Sequence, residues 1–479
     1  MELLYATLQS GVASLASYLA AHVLLCLVPA FFVAGALSAL VPQQSVIRYL
    51  GPAAPKWLAY PAAAGAGSLL AVCSCTVQPL FAGIYSKGAG LGPGITFLFF
   101  APAANILALS YTGVALGVDF AIARVVLSLC FGVGIGMIMA MLFHREDAAR
   151  LANAAAFVGG EAISGRAVAF LLALIALLIA GTLKLDFLTA RLATFDLTLP
   201  AALSAQELLD RLLPVNTIKG EEGLSLQGVG LIVMLALIGA TALRGLGKVD
   251  TGYNRLTKLT LGLIAATLVF AALGIEAGGD GLRIAITGRS LAVAALLALL
   301  VPLARRFDAW DMQQWLWETW RFVRQIFPLL IVGVFLVGVI RVFIRPEWIQ
   351  AVAGANTVAG NLAGVVFGVF MYFPTLVEVP IAKMFLSLGM HPGPLIAYLM
   401  ADPELSLQSI LITSAIIGKL KAWTYVGLVA LFATASGLAY GAWVDGAPIA
   451  AIALTIAAFV GTLITALHFI DKHQAPTAA

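Results

Sequence analysis

The sequence predicts an all-α polytopic membrane protein of about 12–13 transmembrane helices with two homologous, Pro/Gly-broken repeats. Three observations predict it. Across 479 residues the chain is 62% hydrophobic and 10% charged, where an average soluble domain carries roughly 25% charge. The charges collect between apolar runs of about 20 residues, the length that crosses a hydrocarbon core. Finally, the punctuation of one stretch returns in another. Residues 73–105 read CSCTVQPLFAGIYSKGAGLGPGITFLFFAPAAN, and residues 377–406 read VEVPIAKMFLSLGMHPGPLIAYLMADPELS. At an offset of 301 residues Pro79 falls on Pro380, Ser86 on Ser387, Gly88 on Gly389, Gly92-Pro93 on Gly393-Pro394 and Pro102 on Pro403. Apolar composition matches aliphatics by chance, but not this spacing of Pro and Gly.

These observations also exclude classes. A transmembrane β-barrel shows alternating segments of about 10 residues, and none is visible. The net charge of +4 bears on topology rather than on partners, so nucleic acid is not an expected partner. Cys26, Cys73, Cys75 and Cys130 all sit in apolar segments, which argues against an extracellular disulfide framework. The first apolar run lacks a cleavage pattern and reads as a retained span. The expected location is the cell inner (plasma) membrane, multi-pass.

Taken in order, residues 1–17 are a mildly amphipathic lead-in and 18–143 form the first repeat. Its spans fall at 18–41, 57–85, 93–115 and 120–143, with Pro79 expected to break the second. A polar linker and a span fill 144–184, and 185–226 is an acidic extramembrane loop. Within it a helix over 205–213 is capped by Ser204 and stopped by Pro214. Plainer extra spans follow at 227–246, 257–276 and 287–304 within 227–304. Residues 305–324, rich in Trp and flanked by Arg, read as an interfacial helix. The second repeat, 325–470, has spans at 325–345, 358–386, 393–416, 421–442 and 447–469. Lys and Arg cluster in 144–166, 244–258 and 305–324, which puts those connectors in the cytoplasm. Thirteen spans make the repeats parallel; one re-entrant or interfacial segment makes them inverted.

The chemistry-bearing residues fall inside the two matched stretches. Cys73 and Cys75 present two soft sulfur ligands on a short unit, suited to thiophilic ions and arsenicals. The alternative is plain packing, the expected role of Cys26 and Cys130. Gln78, Pro79 and Asn105 accompany the thiols. The second stretch carries Glu378 between Pro374 and Pro380, then Asp402 and Glu404 around Pro403. Charged groups at membrane depth are costly and mark function by default, and a desolvated carboxyl can exchange protons near neutral pH. A Glu378–Lys383 pair fixing helix register is the competing role for Glu378. At these positions the first stretch has Val77 and Ala101, with Gln78 and Asn105 nearby, so thiols sit in one half and carboxyls in the other. Matching Pro/Gly interruptions point to a transport site lined by broken helices.

At these residues the chain resembles the predicted-permease family that includes the ArsP-type organoarsenical efflux permeases. The resemblance covers about 18–143 and 325–443, with Cys73, Cys75, Pro79, Gly88, Gly92 and Pro93 matching the family pattern. It implies expulsion of trivalent organoarsenicals through membrane cysteines. The expected function is secondary-active export of such a substrate or of a soft metal species ligated by Cys73 and Cys75, with Glu378, Asp402 and Glu404 coupling protons. Neither enzymatic activity nor a cofactor is expected, and no G-x-x-x-x-G-K-[ST] motif offers direct ATP drive. A transmembrane thiol–disulfide oxidoreductase, or a permease for an unrelated small solute, is the alternative. Expected partners are the small-molecule substrate and the lipid bilayer, with homo-oligomerisation left open.

Overall fold

A computed structural model of the chain describes residues 2–21, 23–51, 54–70, 74–155, 164–182, 186–212, 224–278, 281–343, 347–370 and 375–474. Helix dominates, as the long apolar runs require. The first run forms α1 (Glu2–Ala21) and α2 (Val28–Leu40), joined through a π-helical turn, Val23–Leu27, across a bend of 48°. The expected lead-in is therefore part of the first helix. Next come α3 (Gln43–Leu50), α4 (Lys56–Leu70) and α5 (Ser74–Ser86). Pro79 lies inside α5 and does not end it. As the sixth residue of α5 it removes one i→i−4 hydrogen bond from the second turn and leaves the rest of the helix intact. Then follow α6 (Leu91–Ala103), α7 (Ile106–Ala115), α8 (Val118–Leu142), α9 (His144–Ala155) and α10 (Gly165–Thr182).

The central region departs furthest from expectation. It contains α11 (Asp186–Thr189), β1 (Arg191–Leu197) and α12 (Pro200–Leu212). After these come α13 (Leu226–Gly245), α14 (Arg255–Ala272), β2 (Gly274–Gly278), β3 (Gly281–Thr287) and α15 (Gly288–Ala304). The strands make an antiparallel sheet of order β1-β3-β2, pairing Phe195 with Ile284 and Ile275 with Ile284 on its other edge. Strands of five to seven residues paired across so much sequence leave little local signal. Helix α12 starts at Pro200, five residues before the expected start; the fixed φ of proline suits a first helical position. Pro214 lies outside the described residues.

The Trp-rich segment is not a separate surface helix: it is the first half of α16 (Ala309–Arg341), which runs unbroken into the following span. Its contacts with α2 are specific. Trp315 donates its indole N–H to the Phe32 carbonyl at 2.9 Å, and Gly35 lets the Thr319 backbone of α16 approach α2. The chain ends with α17 (Glu347–Ala353), α18 (Val358–Phe370), α19 (Thr375–Ser387), α20 (Pro392–Leu405), α21 (Leu407–Ile417), α22 (Lys419–Val444) and α23 (Ile449–Gln474). Among the described residues six helices are long and apolar enough to cross a membrane, or eight if each bent pair is one span. Among the described residues several apolar runs are shorter helices beside Pro or Gly, such as α6, α20 and α21, and so do not count as full-length spans.

Two compact units share the chain. One comprises 1–46, 70–87 and 159–342; the other comprises 47–69, 88–158 and 343–479. Within the second, every residue from Leu91 to Ala103 on α6 and from Gly393 to Leu405 on α20 is buried. Helices buried on every side make a core, and these two form it, α20 carrying Asp402 and Glu404 into it.

Candidate functional site

In the first unit the nominated residues lie on α5. Cys73 falls outside the described residues, and of Cys75 only the helical backbone is described. Thr76 and Gln78, on the first two turns, are buried. The Thr76 hydroxyl lies 2.6 Å from the Cys26 thiol, so Cys26, far away in sequence, packs on the same turn of α5 that carries Cys75. Gly83 lets α5 rest closely on Ala34 of α2.

The second unit holds the amide and the carboxyls. Around them α6–α8 and α20–α22 use corresponding devices at the offset of 301. Their preceding turns reverse through Gly88 and Gly389, with φ of 94° and 87°, a region L side chains avoid. A Cβ on Gly136 of α8 would sit 2.7 Å from the Gly92 carbonyl of α6, and one on Gly437 of α22 would sit 2.6 Å from the Gly393 carbonyl of α20. Both helix pairs therefore cross at backbone contact. Asn105 bridges the α6–α7 break: its Oδ1 accepts the Ala108 N–H at 2.8 Å, and its Nδ2 donates to the Ala101 and Pro102 carbonyls. Its amide is committed to orphaned backbone at the break.

Two polar nodes form where α8 meets α6 and where α22 meets α20. At the first, Arg124 of α8 is 0% exposed. Its Nε donates to the Ala103 carbonyl at 2.8 Å, and its Nη1 donates to Thr112 Oγ1 at 3.2 Å. Its Nη2 stands 2.9 Å from Oε1 of Glu378, itself 1% exposed. Glu378 lies in the first turn of α19, the positive end of a helix dipole. Its partner is thus Arg124, not Lys383, whose side chain is exposed.

At the second node the Tyr425 hydroxyl of α22 donates to Oε2 of Glu404 at 2.5 Å. Residues 124 and 425 are 301 apart, as are 103 and 404, so equivalent helix positions meet in both nodes. Glu404 occupies the last turn of α20, where the dipole opposes negative charge. No ion pair reaches it among the described residues, and its Oε1 is buried without a hydrogen bond. Asp402 is fully buried on the same helix, with its backbone close to Gly368 of α18. Past the N-cap of α21, Ser406 donates to Ser409 at 2.8 Å, and both polar atoms of the buried Gln408 amide lack hydrogen bonds.

The second unit therefore gathers Asn105, Glu378, Asp402 and Glu404, while Gln78 and Pro79 belong to the first. Sequence reasoning missed Arg124, Tyr425 and Gln408. Arg124 had a legible signal, a lone cation deep in the apolar run 120–143. Tyr425 had none beyond its offset from Arg124. Separately, a cleft of about 400 Å³ opens beside the start of α6, lined by Tyr60, Leu91, Met141, His144 and Asp147. There Asp147 accepts the Leu91 N–H at 2.8 Å and pairs with Arg150, which also holds the Ala89 carbonyl. Tyr60 is buried there, its hydroxyl against Gly92.

A family model described as a predicted permease matches residues 9–442. The match runs through the central region, which the sequence-level resemblance had left out. A UPF0718 protein of Methanocaldococcus jannaschii is 31% identical over 426 residues, covering 88% of this chain and 93% of that protein. No solved structure matches. The chain belongs to this predicted-permease family and is a multi-pass membrane protein.

Proposed function

We propose that this permease is a secondary-active exporter of a thiophilic substrate, such as a trivalent organoarsenical or a soft metal species, working by proton antiport in the cell inner (plasma) membrane. The observation that carries the reading is the burial of Glu378, Asp402 and Glu404 beside helix breaks in one unit. Carboxyls are kept in such surroundings at a cost of several kcal/mol each, on the order of the penalty for burying a charge, and coupling is the role that repays it. Broken helices supply the rest, because irregular backbone at membrane depth is tolerated where it lines a polar cavity. Cys73 and Cys75 provide the soft ligands, with Gln78 and Pro79 next to them in the sequence, and α6–α8 and α20–α22 act as halves of two repeats. Asn105 contributes by shaping the α6–α7 break.

The test is binding of a trivalent arylarsenical to the purified protein, read by thermal shift. Stabilisation of the wild type that disappears in Cys73→Ser/Cys75→Ser is the expected result; equal stabilisation of both proteins removes the thiols from the mechanism. Antiport is tested in cells by adding an uncoupler. Efflux of the arsenical should stop, and efflux that continues unchanged rules out proton drive.

The position of Cys26 supports a second reading. A third thiol on the Cys75 turn supplies the resolving partner that a thiol–disulfide oxidoreductase needs, since a C-x-C pair alone closes a strained ring. Thiol trapping under oxidising and reducing conditions separates the two: a Cys26 disulfide that cycles supports the enzyme, and thiols that stay reduced support the permease.

A further inference from the structure

The two nodes put their carboxyls in opposite electrostatic settings, and this decides which can exchange a proton. Glu378 has a guanidinium at 2.9 Å and the positive end of α19 around it. Protonating it would leave Arg124 as an uncompensated buried cation, a strongly unfavourable state. Glu404 has no cation to abandon. Its Oε2 takes one bond from a phenol, its Oε1 has none, and it sits at the negative end of α20. A proton on Oε1 neutralises the group without breaking any ion pair.

Among the described residues the other buried carboxyls near this crossing are Glu378, already paired with Arg124, and Asp402, two residues away on α20; Glu404→Gln tells Glu404 from both. The helices packed on α20 are α6, α8, α18, α19, α21 and α22. Of these, α6, α18 and α21 carry no titratable side chain. The buried titratable groups on the others are Arg124, Glu378, Tyr425 and Tyr440, with Tyr398 and Asp402 on α20 itself. Asp119, Cys130, Lys383 and Lys419 are exposed, and Lys421 is paired with Glu146 at 2.9 Å.

We propose that Glu404, positioned by Tyr425, is the carboxyl that binds and releases the proton in this permease, and that Arg124–Glu378 is a permanently charged pair. Binding is a simple addition: the carboxylate takes one proton and becomes a carboxylic acid. The Tyr425 hydroxyl, which donates to the carboxylate, remains within reach of the acid as donor or acceptor. The permanent pair ties α8, α19 and the end of α6 together while the proton moves at the other node. Gln408, one turn past Glu404 across the α20–α21 break, offers a buried amide with both ends uncommitted. The proposal rests on the antiport reading, but it is tested without any substrate.

The experiment is pH-difference infrared spectroscopy of the full-length protein in lipid nanodiscs, over roughly pH 5 to 9, the range in which a buried carboxyl group exchanges protons. A carbonyl-stretch band of a protonated carboxyl should titrate in the wild type, vanish in Glu404→Gln and persist in the charge-neutral double variant Arg124→Gln/Glu378→Gln. A band that survives Glu404→Gln, or one lost in the double variant alone, overturns the assignment. So does a wild type with no titrating band. Should Glu404→Gln fail to fold, Tyr425→Phe decides: removing the donor must move the band to higher frequency, and an unmoved band refutes the role of Tyr425. Because arsenical binding is scored separately, failure here leaves the exporter reading standing, and failure there leaves this proton site standing.

Discussion

The Arg124 and Tyr425 nodes occupy matching positions on α8 and α22 and reach matching positions on α6 and α20, yet one is an ion pair and the other a neutral-donor hydrogen bond. Where Arg124 donates to the backbone carbonyl of Ala103, Tyr425 donates to the side chain of Glu404. The first node has to import its anion from another helix, α19. The second carries its acid on the central helix itself. The same backbone crossing thus serves one node whose carboxyl faces a cation and, among the described residues, one whose carboxyl faces only a phenol. The lesson is that burial alone does not assign function to an intramembrane carboxyl. Its partner and its place on the helix dipole do.

The strongest way to break this contrast is to open the closed node. Arg124→Gln leaves Glu378 buried without a cation and should cost about 3–5 kcal/mol of stability, measured by unfolding in mixed micelles. Arg124→Gln/Glu378→Gln should recover most of that loss, because the double variant has no orphaned charge. Single and double variants of equal stability would mean the pair is not a unit.

The next effect concerns the crossing both nodes depend on. A Cβ on Gly437 would clash with Asn361 Oδ1 and sit 2.6 Å from the Gly393 carbonyl. Gly437→Ala should therefore cost roughly 1–3 kcal/mol by overpacking, and Gly136→Ala should cost a similar amount at the other crossing. Gly134→Ala, where nothing lies within 4 Å, is the control and should be neutral or slightly stabilising, since alanine is the better helix former. If all three variants behave alike, backbone contact does not set the crossings.

How much of this was readable follows from the physics of each part. The apolar runs, the glycine turns at Gly88 and Gly389 and the buried carboxyls are local signals, and the sequence displays them. The start of α8 at Val118 and the continuity of α22 follow from uninterrupted hydrophobicity. The β1–β3 pairing was invisible because residue 191 meets residue 287, and nothing within a short window encodes that. The unbroken α16 was misread because Trp and Arg at one end look interfacial, whereas Trp315 is in fact satisfied by the Phe32 carbonyl. Of the nodes, the carboxyls could be found and their partners could not. Only Arg124 stood out as a charge in an apolar run; a tyrosine in α22 resembles any other aromatic packing residue until Glu404 is seen beneath it.

Smaller changes sharpen the comparison between the nodes. Tyr425→Phe removes the sole hydrogen bond recorded for Glu404 among the described residues and should cost about 1–3 kcal/mol, the penalty for a buried polar group left unsatisfied. Thr112→Val removes one contact among several. Thr112 donates to Ala108 in its own helix at 2.7 Å and accepts the longest of the Arg124 bonds at 3.2 Å, while Arg124 keeps Ala103 and Glu378. Its cost should stay near about 0.5 kcal/mol, the low end for a single hydrogen bond. Unfolding midpoints of the two variants, measured side by side, check the order. A Thr112→Val penalty as large as that of Tyr425→Phe would mean the Arg124 node is held by its neutral bonds as much as by its charge, and the division into a closed node and an open one would lose its electrostatic basis.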